Sequence, residues 1–183
     1  MIITINGFPG SGKTTLAKAL AKKYKLKFYS IGKIRRKIAE IFNLSIEEFN
    51  EIGKKFPFTD IFVDELINRI VKDDAVIDGR LAWKFFPKSI KILLICDLDV
   101  AAKRLLKNKR KGEKYKNLKE ARKKILERIE NDKYRYKKYY GIKNIFDIKN
   151  YDIILDTSKI NKKEMIDVCV EIIEKWTRRD SNP

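Results

Sequence analysis

Histidine is absent from the chain, which excludes a Ser-His-Asp hydrolase. With only Cys96 and Cys169 as thiols, it also leaves too few soft ligands for a zinc site. The two cysteines stand far apart in apolar surroundings without a CxxC spacing, so they read as buried free thiols of a reducing compartment. No run approaches the ~18 apolar residues of a membrane span. The chain enters Ile2-Ile3-Thr4-Ile5 with no basic leader before it, and the expectation is a cytoplasmic protein without a membrane partner. Only four prolines and eight glycines occur in 183 residues. They form no linker, so the sequence reads as a single domain large enough to bury its own core. Acidic residues are also in short supply, at 25 against 43 Lys and Arg, for a net charge of +18.

The positive excess is concentrated. Residues 103–143 hold 18 Lys and Arg and 5 Asp and Glu. Such clustering fits an anionic partner, either the phosphates of a nucleotide or a nucleic-acid backbone. No RNA-binding motif or interleaved set of stacking aromatics accompanies it, which makes a nucleic acid the weaker of the two.

Strand and helix patterns alternate along the chain, which predicts a parallel sheet covered on both faces. Strands are expected at Ile2–Ile5, Lys27–Tyr29, Ala75–Asp78, Ile90–Cys96 and Tyr151–Leu155. Helices are expected at Thr14–Tyr24, through residues 31–72 in three pieces, at Val100–Lys109, from about 117 to Gly141 and at Lys163–Trp176. Ser45 with Glu48 forms a capping-box pattern, Asn117 with Glu120 caps the long basic helix, and Gly141 suits its C′ position.

Between the first strand and the first helix lies Gly7-Phe8-Pro9-Gly10-Ser11-Gly12-Lys13-Thr14, which matches G-x-x-x-x-G-K-[ST] in the strand–loop–helix setting that gives the motif meaning. Glycines let backbone N–H groups turn toward phosphates, and the following helix adds its N-terminal dipole. Lys13 is placed to reach the β and γ phosphates, and the Thr14 hydroxyl to ligate Mg²⁺. Asn161-Lys162-Lys163-Glu164 superficially resembles a guanine reader, but it lacks the Asp and lies past the last strand, so it reads as a helix start. These features point to a small-molecule kinase with ATP as co-substrate.

An acceptor that carries its own phosphate needs several cations, and the planar fork of arginine suits them best. Three clusters qualify. Ser30 and Arg35 follow the second strand, and Asp78-Gly79-Arg80 ends the third, beside the first in the expected order 2-3-1-4-5. Ligands gather at such strand ends in open α/β sheets. Asp78 could there hold a Mg²⁺-bound water. On the long helix, Leu118, Ile125, Ile129 and Tyr136 form the core stripe at about 100° per residue, and Arg128, Asp132 and Arg135 lie along one edge of it. A structural ion-pair ladder would account for that trio as well as a phosphate site does.

These residues together resemble the cytidylate kinases, and more closely their short archaeal-type branch of the P-loop nucleoside monophosphate kinases. The resemblance spans Gly7–Thr15, Ser30-Ile31-Gly32 to Arg35, residues 44–49, Val76–Ala82, Arg135–Ile142 and Tyr151–Ser158. It departs at Lys13, where that branch often has Thr, and at Leu81, where the longer bacterial form has Asp. The implied fold is a three-layer α/β sandwich with a five-stranded parallel sheet, in which residues 31–73 bind the monophosphate and about 107–121 form a lid. The implied reaction is transfer of the ATP γ-phosphate to CMP or dCMP with Mg²⁺, by a monomer acting on free nucleotides. The resemblance assigns ATP to Gly7, Gly10, Ser11, Gly12, Lys13, Thr14 and Thr15, with Arg104 and Ser158 on the adenine side. It assigns the acceptor ribose to Ser30 and Asp132, the acceptor phosphate to Arg35, the cytosine and phosphate to Arg80, and phosphates to Arg128 and Arg135. Arg110 would be a lid cation. A kinase for AMP or UMP, or an RNA-binding protein on a kinase fold, remain the alternatives.

Overall fold

The computed structural model describes residues 1–107 and 115–179. The first strand, β1 (Ile2–Gly7), is a nearly continuous β-branched run, as a strand buried on both faces requires. It lies at the centre of a five-stranded sheet with β2 (Lys27–Ser30), β3 (Ala75–Asp78), β4 (Ile90–Ile95) and β5 (Ile153–Asp156). Every pairing is parallel and the order is β2-β3-β1-β4-β5, the order expected from the sequence.

Alternation along the strands divides the core into two layers. Ile3, Ile5, Val76, Ile92 and Leu94 face α1 (Lys13–Lys23) and α8 (Lys162–Arg179), where Leu16, Leu20, Cys169 and Ile173 are fully buried. On the opposite face, Ala75 and Ile77 meet Ile31, Val63 and Ile67. Those three belong to α2 (Ile31–Ile41) and α4 (Phe58–Ile70). Between these two helices runs α3 (Ile46–Lys55), which opens with the expected capping box of Ser45 and Glu48. Cys96, Ala101, Ala102 and Leu105 pack with Ala121, Ile125 and Ile129, joining α6 (Leu98–Lys107) to α7 (Leu118–Tyr140).

Helix α7 is capped by the Asn117 side chain and closed by Gly141 at φ 69°, as the capping pattern predicts. The short helix α5 (Ala82–Phe85) is not foreshadowed by the sequence pattern. The fifth strand starts at Ile153 rather than Tyr151, because a 3₁₀ turn at Ile148–Asn150, capped by Asp147, delays it. No described helix is long and apolar enough to cross a membrane.

Register fixes where a ligand can meet the sheet. Ile5 pairs with Asp78, and Asp78 with Ser30. Ser30 and Asp78 therefore end neighbouring strands on the same edge, beside the loop that leaves β1.

Candidate functional site

Along that edge runs a cleft of about 390 Å³. It is bordered by Pro9 to Thr15 at one end and by Ser30, Arg35, Asp78, Arg80, Arg128, Asp132 and Arg135 at the other. Residues separated by more than a hundred positions in sequence thus share one cavity, as a two-substrate site requires.

At the loop end, Gly12 precedes α1 with φ 97°, a left-handed conformation that favours glycine. Its backbone can then turn so that the helix N-terminus faces the cleft. The Lys13 ammonium donates to the carbonyls of Gly7 (2.8 Å) and Phe8 (2.7 Å), which holds it within the mouth of the loop. Gly7 itself is a carbonyl partner and does not border the cleft, whereas Gly10, Ser11, Gly12, Thr14 and Thr15 do. Beneath the loop, buried Asn6 ties it to the fifth-strand side: its amide donates to the Tyr151 hydroxyl (2.6 Å) and the Ile145 carbonyl (2.9 Å). Its carbonyl oxygen accepts from the Gly7 N–H at 2.7 Å.

The Thr14 hydroxyl donates to Asp78 Oδ2 at 2.6 Å, and Ser30 Oγ lies 3.3 Å from the same oxygen. Among the described residues no group of three or more His, Cys, Asp or Glu side chains could hold a metal. Two hard oxygen donors at one point nevertheless suit Mg²⁺, which keeps waters and takes its remaining ligands from substrate phosphates. The residues present therefore fit that ion.

Arg104 is held against the segment after β5. It donates to Thr157 Oγ1 (3.1 Å) and to the carbonyls of Thr157 (2.6 Å) and Ile160 (3.4 Å). Ser158 is placed differently from its expected partner. Its hydroxyl donates to Asp156 and accepts from the Asp97 N–H at 2.8 Å. The residues of this segment that border the cleft are instead Thr157, Ile160, Asn161 and Lys162. Thr157 is buried and its hydroxyl also reaches the Ser11 carbonyl at 3.0 Å. Asn161 is indeed a helix start: its side chain accepts from the N–H groups of Lys163 and Glu164, while the Glu164 carboxylate accepts from the Asn161 N–H.

The acceptor end is a buried charge network. Arg35, on α2, is 7 % exposed and donates to the Thr59 carbonyl (2.8 Å), Asp60 Oδ1 (2.8 Å) and Asn50 Oδ1 (3.1 Å). Arg135, on α7, is 1 % exposed and donates to Asn131 (2.7 Å), Asp132 (2.5 Å) and Asp60. Asp132 in turn pairs with Arg80. Burial pushes the Arg35 guanidinium down from its ordinary range, Asp60 opposes that shift, and the neighbouring Arg135 charge adds to it. Burial and then Arg128 likewise push Arg80 down, against which Tyr136 and the Asp78 carboxylate work. Arg128 is half-buried on the same face of α7 and borders the cleft. Gly79 accommodates this arrangement by close packing, because a Cβ there would lie 2.3 Å from Ile31 Cδ1.

The sequence does not single out Asp60, Asp64, Asn50, Arg36, Asn161 or Lys162 for the site, and it marks Thr157 only as part of the Tyr151–Ser158 resemblance. For the two carboxylates a signal exists. Asp60, Val63, Asp64 and Ile67 share one buried face of α4, and acidic residues on a core stripe demand cationic or hydrogen-bonding partners. Asp64 meets Tyr140, whose hydroxyl donates to it at 2.6 Å. Arg110, the expected lid cation, lies outside the described residues, as do residues 108–114 of the expected lid as a whole.

Comparison with known proteins places this geometry in a family. Residues 2–159 match the model of the cytidylate kinase-like family. The cytidylate kinase of Methanosarcina acetivorans is 35% identical over 173 residues, covering 92% of this chain and 93% of that protein. The cytidylate kinase of Methanopyrus kandleri is 34% identical, covering 98% and 96%. Among solved structures, shikimate kinase from Bacteroides thetaiotaomicron superimposes with a TM-score of 0.63 at 18% identity, over 97% of this chain and 98% of that one. That likeness carries the fold. The chain belongs to the cytidylate kinase-like family.

Proposed function

We propose that the protein transfers the γ-phosphoryl group of ATP to the phosphate of CMP or dCMP, giving ADP and CDP or dCDP. The observation that carries this reading is the single cleft joining a glycine-rich phosphate loop to Arg35, Arg80, Arg128 and Arg135. One polyanion held at each end brings a donor phosphate and an acceptor phosphate together. The relatives named cytidylate kinase supply the identity of the acceptor.

An acceptor-phosphate oxygen attacks the γ-phosphorus while the bond to the β-bridging oxygen breaks. The acceptor is already an anionic nucleophile, so no strong general base is required. Catalysis reduces to alignment and charge neutralisation. Lys13 reaches the β and γ phosphates, and the loop N–H groups cradle them. Thr14 would hold Mg²⁺ and Asp78 would support it through water, and the ion would supply charge neutralisation on the triphosphate. Arg104 lies against the adenine together with the Thr157–Ser158 segment. Ser30 and Asp132 bind the acceptor ribose, Arg35, Arg128 and Arg135 the phosphates, and Arg80 the cytosine side. Segment 31–73 closes over the acceptor, excluding water. Such an enzyme works as a cytoplasmic monomer on free nucleotides, where its two buried thiols stay reduced.

The test is a panel of CMP, dCMP, UMP and AMP with ATP held constant. CMP or dCMP gives the highest kcat/KM. AMP or UMP outperforming both would replace the acceptor. Tight, salt-sensitive RNA binding with no turnover of any free monophosphate would remove the kinase reading itself.

A further inference from the structure

Asp60 sits where three elements of the acceptor side meet. It occupies the first turn of α4, is 2 % exposed, and does not border the cleft. Its Oδ1 accepts from Arg35 of α2 at 2.8 Å and also from Arg135 of α7. Both of those arginines do border the cleft. Its Oδ2 is buried with no hydrogen-bond partner among the described residues. Space for this meeting is left by Gly53 of α3, where a Cβ would lie 2.8 Å from Thr59 Oγ1 and 3.2 Å from Arg135 Cδ.

Two buried guanidinium groups converging on one point repel each other, and the Arg135 charge acts against that of Arg35. A carboxylate behind them removes the repulsion and fixes their separation and tilt. A guanidinium has five N–H donors. Among the described residues each of these two engages three protein acceptors, which leaves donors over for a ligand. Arg35 comes from segment 31–73 and Arg135 from the opposite wall, so the same carboxylate also ties the two walls together.

We infer that Asp60 is a positioning residue for the acceptor phosphate: it sets Arg35 and Arg135 as one cationic clamp, so acceptor affinity depends on the presence and placement of its charge and ATP affinity does not. The inference rests on the phosphotransfer reading above. Asp132 alone does not supply this function, because it contacts Arg80 and Arg135 but not Arg35.

The experiment is steady-state kinetics of the full-length Asp60→Asn protein, with CMP and ATP varied separately and folding checked by circular dichroism. The KM for CMP rises by ~10-fold or more, the loss expected when a charge-assisted contact is misplaced, while the KM for ATP stays within ~2-fold. A structural role would raise both constants and lower the melting temperature. If Asp60→Asn does not fold, Asp60→Glu carries the same test, since it keeps the charge but displaces it by one methylene. An unchanged KM for CMP, an equal rise in both constants, or failure of both variants to fold overturns the inference. A wild-type protein that phosphorylates no monophosphate is a different result: it removes the phosphotransfer reading before Asp60 is tested.

Discussion

Thr14 donates its hydroxyl proton to Asp78 Oδ2 at 2.6 Å, linking the first turn of α1 to the tip of β3. The link explains why a carboxylate stands at the end of a strand that is otherwise wholly apolar. It places two hard oxygen donors where the triphosphate chain would pass, the Thr14 hydroxyl for an ion directly and the Asp78 carboxylate for its bound water. Asp78→Asn keeps the side-chain volume and one acceptor but loses the charge. Its expected effect is to raise the Mg²⁺ concentration for half-maximal rate by ~10-fold or more, the usual cost of altering a metal site's supporting ligand. A Mg²⁺ titration at fixed ATP measures it. An unshifted midpoint would separate Asp78 from the metal.

Arg128 and Arg135 are two turns apart on α7, yet their replacements should fail in different ways. Arg128 is half-buried, so Arg128→Ala leaves the fold intact and costs ~100-fold or more in kcat, as does Lys13→Ala, by loss of one charge-stabilising donor. Arg135 is 1 % exposed and pairs with both Asp60 and Asp132. Arg135→Ala leaves Asp60 with Arg35 alone and Asp132 with Arg80 alone, so a loss of ~3 kcal/mol of stability, the low end for breaking a buried pair, accompanies the lost turnover. Urea unfolding beside kinetics distinguishes the two cases. Near-normal turnover in Arg128→Ala would contradict the assignment of this helix edge to phosphates.

Arg104 offers a prediction confined to the donor side. Three hydrogen bonds to Thr157 and Ile160 hold its guanidinium plane in place at the border of the cleft. Stacking on an adenine ring is worth about 0.5–2 kcal/mol, which corresponds to a rise of ~2- to 30-fold in the KM for ATP in Arg104→Ala. The KM for CMP should stay the same. Arg104→Lys recovers little, because an ammonium lacks the planar fork that fits this segment. Equal effects on both substrates would show that the residue supports the fold rather than the donor.

The sheet and the phosphate loop are legible in sequence because each is written locally. Ile2–Ile5 announces a buried strand by its β-branched run, and Gly12-Lys13-Thr14 follows it at a fixed offset. Strand order and the ends of β1, β2 and β3 then bring Ser30 and Asp78 beside the loop without further information. The Arg128–Asp132–Arg135 edge of α7 is legible from helical spacing, although spacing does not say what the trio faces. Asp60 is different. Its partners lie 25 residues before it and 75 after it, and no local pattern encodes a meeting of three helices. Only the apolar company of Asp60 and Asp64 on α4 marks them as buried. Thr157 stayed hidden for a related reason: the turn after β5 decides which of two neighbouring hydroxyls faces the cleft.

The second of those carboxylates gives the fold a pH dependence. Asp64 is pushed up to about 6, first by burial and further by the nearby Asp60 charge, against lowering by the Tyr140 hydrogen bond and by Arg35 and Arg135. An unfolded aspartate titrates near ~4. The folded protein therefore holds this proton more tightly than the unfolded chain does. The stability gained from that proton is complete below about pH 4 and is lost as pH rises through about 6. At neutral pH the buried charge is a net cost. Asp64→Asn keeps an acceptor for Tyr140 and removes the charge, so it should be more stable than wild type at pH 7 by ~1–3 kcal/mol. The advantage shrinks toward zero or reverses near pH 4, where wild-type Asp64 is protonated. Urea unfolding of both proteins at intervals across that range reads the difference directly. Parallel stability curves between pH 4 and 7 would show that Asp64 is ionised throughout and that Tyr140 alone satisfies it.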